Sequence, residues 1–285
     1  MKIGLFVPLG NGVTGSFVRT VGREAEARPF ESIWVAEHVV FFDDYASRYP
    51  YADSGRFPGG GDTGLLEPLT ALAYLAAVTD RVRLGTGICL VPQRNPVYTA
   101  KQVVDVDVLS GGRVDFGVGV GWLKEEFDVL GMPFEQRGAR MDEYLEVMRS
   151  LWMDDISEHH GAHYDMPPCR LYPKPAQSPH PPIHVGGESP AALRRVARHG
   201  QGWYTFNRLP QDLDAPLAQL DDALAAEGRS RSDIELTVCP YLHAVTPDLV
   251  AEYAAHGVDR LVLLFLAFEE STIAPTLDQL AALVA

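Results

Sequence analysis

Only three cysteines occur in the 285 residues, Cys89, Cys169 and Cys239, at unrelated spacings. They offer neither a disulfide framework nor a zinc-ligand pattern, and reduced thiols in a cytoplasmic chain are the expectation. Cations are scarce as well: 24 Lys and Arg stand against 38 Asp and Glu, a formal net charge of −14. That balance argues against nucleic acid or an anionic membrane as partner. It still leaves room for an anionic cofactor, because backbone amides at a helix start can hold a phosphate. No apolar run approaches the roughly 20 residues that span a bilayer. The first residues, Lys2 followed by IGLFVP, lack the cleavage region of a signal peptide. Internal repeats, low-complexity tracts, a Walker loop and a dinucleotide fingerprint are also missing, and neither Ser16 nor Ser189 has a nucleophile-elbow context. The expectation is a soluble protein acting on a small molecule.

What is present is a rhythm. With 46% hydrophobic residues the chain can bury a large core. The organising stretch is Arg81 to Gly131, which reads as strand, loop, helix, strand, and a glycine-rich turn into another helix. Val82 to Val91 is apolar and ends at Pro92; Val103, Val106 and Leu109 recur at helical spacing; Gly111-Gly112 stops the helix before the strand from Val114 to Val120. A strand, a crossover helix and a strand in one span is a parallel βαβ unit. Apolar strands near 3, 32, 83, 114, 183, 203, 234 and 260 are each followed by a helical pattern. Eight such units close into a (β/α)8 TIM barrel, here a single domain over 1–285 with insertions at about 41–64 after strand 2 and about 154–182 before strand 5. An open doubly wound sheet is the alternative.

In such a barrel the chemistry sits at the C-terminal ends of the strands. That rule singles out Glu37 and His38 after the second strand. Imidazole titrates near neutral pH, so His38 is the acid/base candidate, against the plainer role of capping a strand end. Glu37 has three options: to orient His38, to meet a polar edge of a cofactor, or to pair with a Lys or Arg. Gly85, Gly87, Gly117, Gly119 and Gly121 lie in or at the ends of strands. Glycine weakens a strand, so either a flat ring approaches the backbone there or the barrel strands need small residues to pack. Gly186-Gly187-Glu188-Ser189-Pro190 ends a strand with two glycines, a capping serine and a first-turn proline. This is a phosphate cradle or a plain capped helix, with Arg194 or Arg195 as possible helpers. Cys89 is expected to border the cavity in a core or wall role rather than as a nucleophile. His159, His160 and His163 lie in a proline-rich insert without carboxylates at ligand spacing, so no metal site is expected. The glycine- and proline-rich segment Phe41 to Gly64, with Phe41, Phe42, Tyr45, Tyr49 and Tyr51, is expected to be a covering loop over a roomy, aromatic substrate pocket.

The segments KIGLFVP, SIWVAEHVV, the core from PGGGDTGLLEPL through LSGGR, DFGVGVGWLKEEFDVLG and PPIHVGGESPAALRRVARHGQGW together resemble the luciferase-like monooxygenase superfamily, in its branch of coenzyme F420-dependent oxidoreductases. The resemblance implies that Glu37 and His38 are a cofactor-contacting acid and a catalytic histidine. It implies a non-proline cis peptide at Gly87-Ile88 backing the cofactor ring, with Gly119, Val120, Gly121 and Trp122 along its pyrimidine side. Gly186, Gly187, Glu188 and Ser189 would form the phosphate site. The implied cofactor is F420, with FMN as the alternative, and the implied assembly a homodimer. A glutamate proton donor found after the fourth strand in some relatives is replaced by Trp122, although Glu125 and Glu126 follow one turn on; a sugar-phosphate dehydrogenase activity is therefore not expected. Arg28-Pro29-Phe30 stands where a glycine usually precedes the second strand. Three functions follow as expectations: an F420-dependent hydride transfer to or from a small organic substrate, a reduced-FMN monooxygenase, or a non-catalytic cofactor-binding protein.

Overall fold

Every strand expected from the apolar runs is present in the computed structural model, which describes residues 1–284. In chain order they are β1 (Lys2–Phe6), β2 (Ser32–Val35), β3 (Arg83–Thr86), β4 (Cys89–Leu90), β5 (Val114–Gly119), the hairpin β6 (Ser157–His160) and β7 (Asp165–Cys169), then β8 (Ile183–Gly186), β9 (Gly202–Phe206), β10 (Glu235–Cys239) and β11 (Arg260–Leu264). The helices are α1 (Gly15–Glu26), α2 (Pro68–Ala76), α3 (Pro96–Ser110), α4 (Lys124–Val129), α5 (Arg137–Met153), α6 (Pro190–His199), α7 (Asp214–Ala226), α8 (Pro247–Ala255) and α9 (Glu270–Ala282). Five of these nine helices, α1, α2, α3, α6 and α8, begin where a side chain can satisfy their first amides. Asn95 accepts from Val97 and Tyr98, Thr14 from Phe17, and Ser189 from Ala192.

The strands pair in parallel in the order β3-β2-β1-β11-β10-β9-β8-β5, and β5 returns to β3 through Leu84↔Val114. The sheet is therefore a closed eight-stave parallel barrel, and the open doubly wound alternative is excluded. One expected strand, Val82 to Val91, is in fact two pieces. β3 and β4 both pair with β5 but are separated by Gly87-Ile88, whose peptide bond is cis, and Val91–Gln93 is already a 3-10 turn.

The pleat sorts the side chains. Leu5, Ile33, Val35, Leu84, Phe116, Val118 and Val185 join the helix residues Val21, Leu72, Val103, Leu145 and Met148 in the main core. Phe6, Trp34, Tyr204, Cys239 and Val262 form a second cluster. Trp34 on β2 and Tyr204 on β9 do not sit on neighbouring strands, yet their rings are 5.1 Å apart, so this cluster fills the barrel interior. At the N-terminal end of the interior the filling is ionic. Arg83 and Arg260 grip Asp115 at 2.5 and 3.4 Å, and Arg260 also pairs with Glu31 at 2.9 Å and with Glu235. Burial works against the Asp115 charge, but hydrogen bonds from His184 and Arg83 hold its carboxyl below the usual range. The polar layer plugs one end of the barrel and leaves the other end for a cavity.

Two long connections break the repeat, as expected. Residues 36–67 contain no helix or strand, and 154–182 carry the antiparallel hairpin β6–β7.

Candidate active site

A cavity of about 1030 Å³ opens at the C-terminal ends of the strands. Its wall includes Glu37, His38, Gly87, Ile88, Gly119, Val120, Gly121, Trp122, Gly186 and Gly187. These come from β2, the β3–β4 break, β5 and β8, so the barrel brings together residues up to 150 positions apart. The His38 side chain is 10% exposed, and its Nδ1 lies 3.0 Å from Oε2 of Glu126, which is fully buried. Gln93 Nε2 donates to the same oxygen at 2.9 Å, and the Val39 amide donates to Oε1 at 2.6 Å. Burial penalises the Glu126 charge, yet its bonds with His38 and Gln93 keep the carboxyl below its ordinary range. Phe41, Trp122 and Phe57 ring the imidazole at 4.7, 5.8 and 6.2 Å between centroids.

Glu37 takes the third of its options. Its Oε1 receives Arg94 Nε at 2.7 Å, its Oε2 receives the Leu90 amide at 2.5 Å, and Arg94 reaches on to Glu67 at 2.6 Å. The carboxylate thus pins the chain just after the β3–β4 break. No bond joins it to His38 among the described residues; the partner of His38 is Glu126.

The glycines answer to the protein's own atoms. A Cβ at Gly119 would lie 2.0 Å from Ile88 Cδ1, and one at Gly186 2.7 Å from the same atom. At Gly117 it would strike the Thr86 carbonyl at 1.9 Å, and at Gly85 the Trp34 ring at 2.4 Å. The packing alternative therefore accounts for these positions. Their indirect effect is to seat Ile88 against β5 and β8, where its partly exposed side chain becomes cavity floor.

At the far end, Gly187 has φ of +100° and Ser189 caps α6. Among the described residues the amides of Gly187, Glu188 and Ser189 donate to no protein acceptor. Arg195 is not available to this turn, since it is bound to Asp142 at 2.5 Å and to the Gly138 carbonyl at 2.9 Å. Arg194 is exposed and lines no part of the cavity. Instead Arg137, at the start of α5, lines the cavity and donates to the Gly121 carbonyl at 3.0 Å. Burial and then the neighbouring Arg140 lower its pKa, and no carboxylate pairs with it among the described residues. A desolvated guanidinium of this kind gains from an anion. The unpartnered Gly187 amide, an arginine without a carboxylate partner and an apolar floor at Ile88 suit a phosphate-bearing flavin or deazaflavin, and the fit is good.

The luciferase-like monooxygenase family model matches residues 1–270. The chain belongs to that family. The uncharacterized protein Rv0940c of Mycobacterium tuberculosis (strain ATCC 25618 / H37Rv) is 33% identical over 250 residues, covering 88% of this chain and 85% of that one. An FMNH2-dependent dimethylsulfone monooxygenase of Pseudomonas putida is 32% identical over 203 residues, covering 70% of this chain and 55% of that one. An F420-dependent secondary alcohol dehydrogenase, solved with an F420-acetone adduct, superposes with a TM-score of 0.78 at 16% identity, covering 100% of this chain and 99% of that one. Among the proteins this luciferase-like chain is similar to, one sequence relative is thus FMNH2-dependent and one structural neighbour F420-dependent.

Of the residues expected at the luciferase-like site, Cys89, Glu188 and Ser189 stand apart from the cavity wall. Cys89 is in the main core, where burial pushes its thiol well up. Glu188 turns to Thr205 Oγ1 at 2.5 Å and to Arg208 at 2.5 Å. His160 lies 2.5 Å from Asp165 and 2.8 Å from Glu158, and no group of three His, Cys, Asp or Glu that could hold a metal occurs among the described residues. Among those residues no helix is long and apolar enough to cross a membrane. Sequence reasoning missed Glu126, Gln93, Arg94 and Arg137. Glu126 left a trace: Leu123, Glu126, Phe127 and Leu130 fall at helical spacing, which puts a carboxylate on the apolar face of α4.

Proposed function

We propose that this luciferase-like protein is a coenzyme F420-dependent oxidoreductase that moves a hydride between the deazaflavin and a small organic substrate. The observation that carries the reading is His38, a carboxylate-bonded imidazole in the wall of a large cavity whose floor is Ile88. Bound deazaflavin supplies the two-electron hydride centre. The chain supplies the rest. Ile88 would support one face of the ring, and the Gly187 amide with Arg137, both in the cavity wall, would hold the phosphate. His38 Nε2 takes or returns the proton that accompanies the hydride. Phe41, Tyr45, Tyr49, Tyr51, Phe57 and Trp122 pack on one another at centroid distances of 5.0–5.6 Å, and Tyr49, Tyr51, Phe57 and Trp122 among them give the substrate space aromatic walls.

A second reading, oxygen chemistry with reduced FMN, is favoured by the 32% identity to the dimethylsulfone monooxygenase. Titration of cofactor-free protein with F420 and, separately, FMN, followed by fluorescence, separates the two. Tight binding of F420 with weak FMN binding is expected. The reverse preference replaces the proposal with the monooxygenase. Tight binding without turnover of any donor or acceptor leaves a non-catalytic cofactor carrier.

A further inference from the structure

We infer that Glu126 is a positioning residue that fixes the tautomer of His38 and ties the imidazole to the covering loop. The inference deepens the oxidoreductase reading and rests on His38 as its proton carrier. Three segments meet on this one side chain: the exit of β2, the turn at Val91–Gln93, and α4. All of its contacts are with donors: Gln93 Nε2 at 2.9 Å, the Val39 amide at 2.6 Å and the Val40 amide at 3.4 Å. An ionised carboxylate can only accept hydrogen bonds. The remaining contact, His38 Nδ1 at 3.0 Å, must therefore be an N–H donor as well. In the neutral ring the lone pair then lies on Nε2, the nitrogen with no protein partner among the described residues, in a side chain that lines the cavity. Without this carboxylate, Nδ1–H and Nε2–H forms compete, and the second presents no base to a substrate.

The same carboxylate reaches the root of the covering loop. Oε2 holds the imidazole and Oε1 holds the amides of Val39 and Val40, the first residues of the loop. Further along, Glu125 accepts from the Ala46 and Ser47 amides at 2.6 and 3.1 Å. A shift of the loop root therefore pulls on the group that orients His38, whereas a shift at 46–47 does not. The role assigned to Glu126 is orientation; it reaches the substrate only through His38.

Nitrogen-15 NMR of histidine-labelled, cofactor-free protein reads the tautomer directly, with His38→Asn used to assign the signals. The expected wild-type spectrum is the Nδ1–H form. Glu126→Gln, whose amide both donates and accepts, is expected to mix the two forms and to lower kcat roughly 10- to 100-fold with KM little changed, the range typical for lost outer-shell partners. Glu125→Gln is expected to raise hydrogen exchange at 46–47 and leave the tautomer as it was. An Nε2–H form in the wild type overturns the inference, and that spectrum stands even if Glu126→Gln fails to fold. A Glu126→Gln protein that keeps the Nδ1–H form also overturns it, whatever its turnover. Because the spectrum needs no cofactor, failure of the F420 reading appears separately, in the titration above.

Discussion

Adding one methyl group at Gly117 and, separately, at Gly119 tests how the barrel makes its cavity. Neither glycine has a left-handed backbone, so alanine is conformationally allowed at both. At Gly117 the new Cβ meets the Thr86 carbonyl at 1.9 Å, and real Cβ contacts essentially never fall below 3.0 Å. Strands β3 and β5 must part by about 1 Å at a point where Thr86 Oγ1 also donates to the Gly117 carbonyl at 2.6 Å. Overpacking of this kind costs about 1–3 kcal/mol, and a backbone obstacle with a disturbed ladder belongs at the upper end. At Gly119 the obstacle is Ile88 Cδ1 at 2.0 Å, the far end of a side chain that can swing into the cavity. Part of that smaller cost is offset by the stiffer unfolded chain, worth about 0.4–1 kcal/mol. Gly117→Ala is therefore expected to lower the Tm by about 6 °C or more, at about 2 °C per kcal/mol for a domain this large. Gly119→Ala is expected to shift it by about 3 °C at most, but to weaken cofactor binding about tenfold as Ile88 invades the ring's seat, a change of about 1.4 kcal/mol. Thermal unfolding and a fluorescence titration of both variants decide the matter. Equal Tm values for Gly117→Ala and wild type would refute the packing account of the glycines.

His38→Ala is expected to impair turnover far more than cofactor binding, by about 100-fold or more in kcat; unchanged turnover removes His38 from the chemistry. Arg137→Ala is expected to weaken a phosphate-bearing cofactor about tenfold, the loss of about one charge-assisted hydrogen bond, with little change in urea midpoint. Stability should also fall with acid through His199. This ring is 2% exposed, neither nitrogen has a partner among the described residues, and burial pushes its pKa down to about 4 despite Asp142, with Arg198, Arg149 and Arg195 adding to the effect. The unfolded ring binds a proton below about 6.5. Between about pH 6.5 and 4 the unfolded state therefore holds more protons, and stability rises with pH across that window. His199→Leu should flatten the urea midpoint between pH 4 and 6.5, read by parallel unfolding curves.

The fold was legible because parallel barrel strands are buried on both faces and so read as continuous apolar runs, as at Ile33 to Val35 and Leu261 to Leu264. The hydrophobic pattern did not show the break inside Val82 to Val91; only the family resemblance, which implied a cis peptide at Gly87-Ile88, marked its place. His38 and the glycine turns could be placed from strand ends alone, whereas the role of Ile88 came with the family resemblance. Side-chain pairing could not: Glu126 lies 88 positions from His38, and Arg94 lies 57 from Glu37. Local pattern carries no information about which distant carboxylate folds beneath a given ring. The open choice over the strand glycines was resolved only by what surrounds each missing Cβ.

The straps on the covering loop grip main chain rather than side chain. Glu125 and Glu126 accept from the amides of Val39, Val40, Ala46 and Ser47, and Asn207 donates to the Tyr51 carbonyl at 3.0 Å. Any residue but proline presents the same amide, so these straps hold whatever side chains the loop carries, with the Ser47 hydroxyl, which accepts from the Lys124 amide at 2.9 Å, as a side-chain exception. The aromatic side chains that pack on Trp122 and Phe206 can therefore be exchanged without losing the main-chain straps, although their own packing is lost. Such an arrangement lets the walls above one barrel be refitted by rewriting a short stretch of sequence, with the barrel beneath left as it is.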